Sequence, residues 1–130
     1  MRRKYLLVVT AFGEAATGLL LLFLPSVVFE LLLHPSSIEP AGLFVGRIAG
    51  AALIAIGVAS WLARKDRGCP AQVGILLGVL FYDVVAAVLL AYAGLALNMT
   101  GVLLWPAVVF HVAMAGWTAA CVGAVVLIEP

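Results

Sequence analysis

The chain has 130 residues, 66% of them hydrophobic and 10% charged, with a net charge of +1 and a mean hydropathy of +1.27. A soluble domain is about 45–50% apolar and about 25% charged, so this chain has too few polar side chains to cover a core in water. The small net charge also gives no field that would attract a nucleic acid. The composition therefore points to an integral membrane protein with the bilayer as its partner and solvent.

The chain opens with Met1-Arg2-Arg3-Lys4 and an apolar run that reaches Leu24. The start resembles a secretory signal. The run is longer than a signal's apolar region and lacks a small-x-small cleavage site, which predicts an uncleaved span over about residues 5–24. That length matches the roughly 20 residues needed to cross a hydrocarbon core. Pro25 either ends this span or opens a short helix at its first turn. The apolar segment from Ser26 to His34 is too short to cross and is expected to lie in the interface. Turn-forming Pro35, Ser36, Ser37 and Pro40 follow it.

A second span is predicted over about residues 41–62, followed by a compact charged turn from Ala63 to Pro70. The third span covers about residues 72–96 and ends in the turn Asn98-Met99-Thr100-Gly101, where the glycosylation sequon reads as a chance match. The fourth covers about residues 104–127, with Pro106 in its first turn. Continuous rather than alternating apolar runs predict helices, not barrel strands. The expected fold is all-α: one transmembrane four-helix bundle over residues 1–130, with no soluble domain or linker and a short interfacial helix between spans one and two.

Arg2, Arg3, Lys4, Arg64, Lys65 and Arg67 fall on one face of this bundle, whereas Glu30, His34 and Glu39 fall on the other. The positive-inside rule then predicts a multi-pass inner (plasma) membrane protein with both termini and the middle loop in the cytoplasm. Cys69 and Cys121 lie toward that reducing side and are expected to remain thiols, without a disulfide or metal-binding role. Trp61, Tyr92 and Trp105 sit at span ends and fit the interfacial aromatic belts.

Each span carries one ionisable residue: Glu14, Arg47, Asp83 and His111. A central Asp, Lys or Arg costs about 2.5–3.5 kcal/mol on insertion scales, so all four are expected to turn inward and pair. Thr10, Glu14 and Thr17 recur at helical spacing and form one stripe. Arg47 is placed on a face with Gly50, Ala51, Ile54 and Gly57, and Tyr82 offers a hydroxyl to the same network. Two readings of this polar core stay open: interhelical glue, worth roughly 0.6–2 kcal/mol per hydrogen bond, or a ligand or proton-handling site. For His111 a satisfied imidazole is favoured over a haem ligand, because a second axial residue is missing from the spans.

Gly42, Gly46 and Gly50 form consecutive small-xxx-small steps on the second span, and Gly57 lies further along it. Gly74 and Gly78 repeat the spacing on the third, and all are read as helix-packing positions within or between protomers. There is no nucleophile elbow, phosphate loop, paired-histidine motif or cysteine pair. No catalytic residue, metal or cofactor is assigned, and a non-enzymatic role is favoured.

Several strings combine into a recognisable layout: Glu14-Ala15-Ala16-Thr17-Gly18 with Pro25 and Leu31-Leu32-Leu33, then Gly46-Arg47-Ile48-Ala49-Gly50 with Gly57 and Trp61. Tyr82-Asp83 and Leu104-Trp105-Pro106-Ala107 with His111 complete it. Over essentially its whole length the chain resembles a family of small bacterial four-span membrane proteins with no assigned activity. In that family's pattern Asn often stands where this chain has Asp83. More distantly the layout is similar to DoxX-like four-helix proteins, some of which accompany quinone-linked oxidoreductases. The leading expectation is a polar core that binds a small amphiphile or stabilises a membrane complex. The alternatives are an oligomeric proton-coupled transporter and an accessory subunit of a quinone-linked redox system.

Overall fold

The computed structural model describes residues 2–66 and 69–126. Arg67 of the basic turn and Leu127 at the expected end of the fourth span lie outside the described residues. Among the described residues five helices occur in order: α1 (Arg2–Phe23), α2 (Pro25–Leu33), α3 (Pro40–Ala63), α4 (Pro70–Leu95) and α5 (Leu104–Val126). Four of them, all but α2, are long and apolar enough to cross a membrane. The chain is a multi-pass membrane protein with an all-helical fold.

Proline sets three of the helix starts. Pro25, Pro40 and Pro70 each open a helix, where the missing N–H has no intrahelical acceptor to lose. The residue before a proline is pushed out of the α region. Leu24 accordingly adopts φ −130°, ψ 51°, and this single residue breaks α1 from α2. At its other end α2 stops on His34 in the left-handed region, φ 44°. The His34 N–H donates to the carbonyls of Phe29 and Glu30, both at 3.1 Å, and Pro35 follows, so the helix cannot continue.

The long helices associate as two pairs, α1 with α3 and α4 with α5, and lesser contacts join α1 to α5 and α3 to α4. The α1–α3 seam depends on glycine. A β-carbon at Gly18 would lie 2.6 Å from the Gly50 carbonyl oxygen, and one at Gly50 would lie 2.6 Å from that of Gly18. One at Gly57 would meet the Ala11 oxygen at 2.9 Å, and Gly46 lies against the Phe29 ring of α2. Gly42, Gly74 and Gly78 have no such neighbour within 4 Å, so within this chain they do not act as packing positions. The buried face of α4 carries Gln72, Leu76, Val79, Asp83 and Ala87, and Gly74 and Gly78 lie on the other side of that helix.

Two apolar clusters lie along the bundle. At the end that carries the basic residues, Leu6, Leu7, Ala63, Leu76, Met114 and Cys121 pack together. In the other half Leu21, Val28 and Leu53 form a second cluster, flanked by Phe29, Leu32 and Tyr82. Gln72, buried at the basic end, donates from Nε2 to the carbonyls of Ala63 and Asp66 at 2.8 Å each, which satisfies the carboxyl end of α3. There the Arg64 guanidinium stacks 3.5 Å from the Trp61 ring centre and donates to the Trp61 carbonyl.

At the opposite end α2 lies across the bundle, touching α1, α3 and α5. The Leu103 N–H in the α4–α5 connection donates to the Leu31 carbonyl at 2.8 Å. Gly101 is buried and lies directly on the Leu32 carbonyl group. No side chain would fit at Gly101, and α2 is thereby held down over the two helix pairs.

Candidate functional site

Helical rise places three of the intramembrane polar residues at one depth. Counted from the basic ends of their helices, Glu14 on α1, Asp83 on α4 and His111 on α5 each lie about 18–22 Å up the bundle. The structure turns all three inward. Asp83 is 2% exposed and Glu14 6%. His111 Nδ1 lies 2.8 Å from Asp83 Oδ1, with the imidazole side chain 13% exposed. Such a short contact between buried groups is a charge-assisted hydrogen bond when the imidazole is protonated. The second carboxylate oxygen of Asp83 has no hydrogen-bond partner among the described residues.

Aromatic rings hold the imidazole in place. Tyr82 packs edge-to-face on His111 with ring centres 5.5 Å apart, and Phe110 does the same at 5.6 Å. Tyr82 on α4 and Glu14 on α1 both line the cavity at the seam between the two helix pairs. The Asp83–His111 pair stands within electrostatic reach of Glu14. On the Glu14 stripe, Thr10 is also buried, and its hydroxyl has no partner among the described residues.

Arg47 does not join this cluster. The packed face of α3 carries Gly46, Gly50, Leu53, Gly57 and Ser60, and Arg47, one residue on from Gly46, points about 100° away from it. Its side chain is exposed. The inward placement expected from its spacing to Gly50 and Gly57 is therefore corrected: those glycines face α1, whereas Arg47 faces outward beside Phe44 and Ile48, which are also exposed.

Above the polar cluster lies a cavity of about 600 Å³. Glu14, Thr17, Tyr82 and His111 supply its polar side chains. The walls are otherwise mostly apolar, with Leu20 and Leu21 from α1, Leu89 and Leu90 from α4, and Pro106 and Phe110 from α5. Val28, Leu31 and Leu32 of α2, with Leu103, close the far end. The polar groups thus share one end of the cavity, and α2 lies about 12 Å further along the bundle axis, the rise from Tyr82 to Leu90.

The residues that sequence reasoning missed are on α2, because an apolar segment too short to cross reads equally well as an interfacial strap. Its two-sided apolar character, from Val28 through Leu33, was the available signal. Among the described residues no group of three or more His, Cys, Asp or Glu side chains is placed to hold a metal ion.

Comparison with protein-family models, curated proteins and solved structures finds no match.

Proposed function

We propose that this chain is an inner-membrane protein that binds a small amphiphile, with the ligand's polar group at Glu14, Tyr82 and His111 and its apolar body beneath α2. The observation that supports this most is the polarity gradient of the cavity: every ionisable side chain lining it lies at one end. Ligand sites are typically apolar cavities of about 300–1,000 Å³ with a few convergent polar groups, and this one fits on both counts. A purely structural cluster would be expected to be packed solid, because a void forfeits dispersion contacts along its lining. The positive-inside rule favours an orientation with both termini in the cytoplasm. The polar end then lies near the bilayer centre, and α2 lies toward the outer face.

Native mass spectrometry of protein purified in mild detergent tests this reading. One small-molecule adduct per chain is expected. It should disappear in Ala107→Phe, which fills the cavity from α5 without touching the polar end. An adduct unaffected by Ala107→Phe, or the absence of any adduct, would count against the cavity as the binding site. A second reading, a proton-coupled carrier of such amphiphiles, is favoured by Glu14 specifically, a carboxyl that lines the cavity at mid-membrane depth. Proton movement across proteoliposomes on adding ligand to one side separates carriage from binding alone.

A further inference from the structure

We infer that the amphiphile is a lipophilic cation, an amine or onium group on an apolar body, which takes the place of a proton on Glu14. The inference rests on the binding reading above and specifies the ligand's charge.

The charged groups facing Glu14 set the limits. From α4 it faces Tyr82 and Asp83, and from α5 it faces His111. The helix packed most closely against α1 is α3, and its one basic residue within the span, Arg47, is exposed and does not line the cavity. On α2, Glu30 is exposed, and its carboxylate lies 2.5 Å from His34 Nδ1 on the outside of the bundle. The Asp83–His111 pair carries a net charge of zero when the imidazole is protonated and −1 when it is neutral. Glu14 adds zero or −1. While Asp83 is ionised the site is neutral or negative, and its one positive group, the imidazole, is already paired with Asp83, so a phosphate or carboxylate head group would enter without a free counter-ion, at a large desolvation cost. These grounds count against an anionic lipid.

Between a cation and a neutral molecule, the lining decides. An ionised Glu14 in this apolar surround needs a compensating positive charge, and among the described residues lining the cavity none supplies it beyond the imidazole already held by Asp83. Tyr82 and Phe110 both line the cavity, and aromatic side chains together with an acid are the combination that recognises alkylammonium groups. The exchange balances: protonated Glu14 and a cation give a carboxylate–cation pair, and one proton is released to solvent. No bond other than the carboxyl O–H is broken.

The test titrates purified protein with tetraphenylphosphonium in weakly buffered detergent solution, following heat and pH together. Saturable binding with release of about one proton per cation is expected. In Glu14→Gln the affinity should fall by roughly tenfold or more, with no proton released, and Glu14→Asp, which keeps the acid, should retain release. Ala107→Phe should abolish binding altogether. Binding without proton release in the unaltered protein, or unchanged affinity in Glu14→Gln, overturns the exchange. If a neutral short-chain quinone binds the unaltered protein, is lost in Ala107→Phe and is indifferent to Glu14→Gln, while the phosphonium does not bind, then the cation assignment fails and the amphiphile site stands. If neither binds and no adduct co-purifies, both readings fail.

Discussion

At the scale of single residues, the Asp83–His111 pair is the best-defined interaction in the membrane-spanning region. It is largely shielded from solvent, short and built from two helices that already pack on each other. Removing either member leaves the other unpaired in an apolar surround, a loss of about 1–3 kcal/mol. Asp83→Leu and His111→Leu are therefore each expected to lower the thermal unfolding midpoint in detergent, whereas the double variant should fall short of their sum by roughly 0.5–3 kcal/mol. Additive losses would show that the pair is not coupled. Asp83→Asn keeps an acceptor for His111 Nδ1 and is expected to cost less than Asp83→Leu. Arg47 is the contrasting case. Its side chain faces outward, so Arg47→Leu is expected to leave the unfolding midpoint within about 0.5 kcal/mol of the parent. A loss comparable to that of Asp83→Leu would place Arg47 back in the network.

At the scale of elements, glycines with the same spacing do different work. Gly50 and Gly78 each belong to a small-xxx-small step, yet only Gly50 touches another helix. Gly50→Ala drives a methyl into the Gly18 carbonyl, and about 1–3 kcal/mol of destabilisation is expected. Gly78→Ala meets nothing, so the better helix propensity of alanine leaves stability unchanged or raised by up to about 1 kcal/mol. Measuring both in one detergent decides the assignment, and equal losses would contradict it. This pair also marks what the sequence could reveal. The four spans were legible because hydropathy and length do not depend on which way a helix is turned. Which face turns inward was not. In water an apolar stripe identifies the buried face, but lipid is as apolar as a protein core, so the stripe disappears. Glu14, Asp83 and His111 could be oriented because charge is costly on the lipid side. The same argument misplaced Arg47, whose long side chain can reach polar surroundings from a lipid-facing position near a helix end.

At the scale of the whole molecule, the arrangement is two tight helix pairs with a cavity along their seam. The α1–α3 pair is locked by glycine contacts, and the α4–α5 pair carries the Asp83–His111 bond. Between the pairs lies the cavity, with Glu14 and Tyr82 in its wall and α2 covering it. The ends of the bundle differ sharply: Arg3, Lys4, Arg64 and Lys65 gather at one, and Glu30, Glu39 and His34 at the other. If the basic end is cytoplasmic, a cysteine at Ser36 should react with a membrane-impermeant maleimide in intact cells, and one at Lys65 only after lysis. Both positions are exposed, and the background must have Cys69 and Cys121 replaced. The opposite labelling pattern would invert the orientation and place α2 on the inner side.

The hydrogen bond from Leu103 to the Leu31 carbonyl also carries a temporal order. The ribosome makes Leu31 long before Leu103, so α2 has no catch until α4 and the following turn have been translated. Through that interval the nascent α1–α3 hairpin presents half of an open trough to lipid. Completion of the second hairpin supplies the floor, the far wall and the fastening in one event. The fastening of α2 over the cavity therefore forms only after the α4–α5 connection exists.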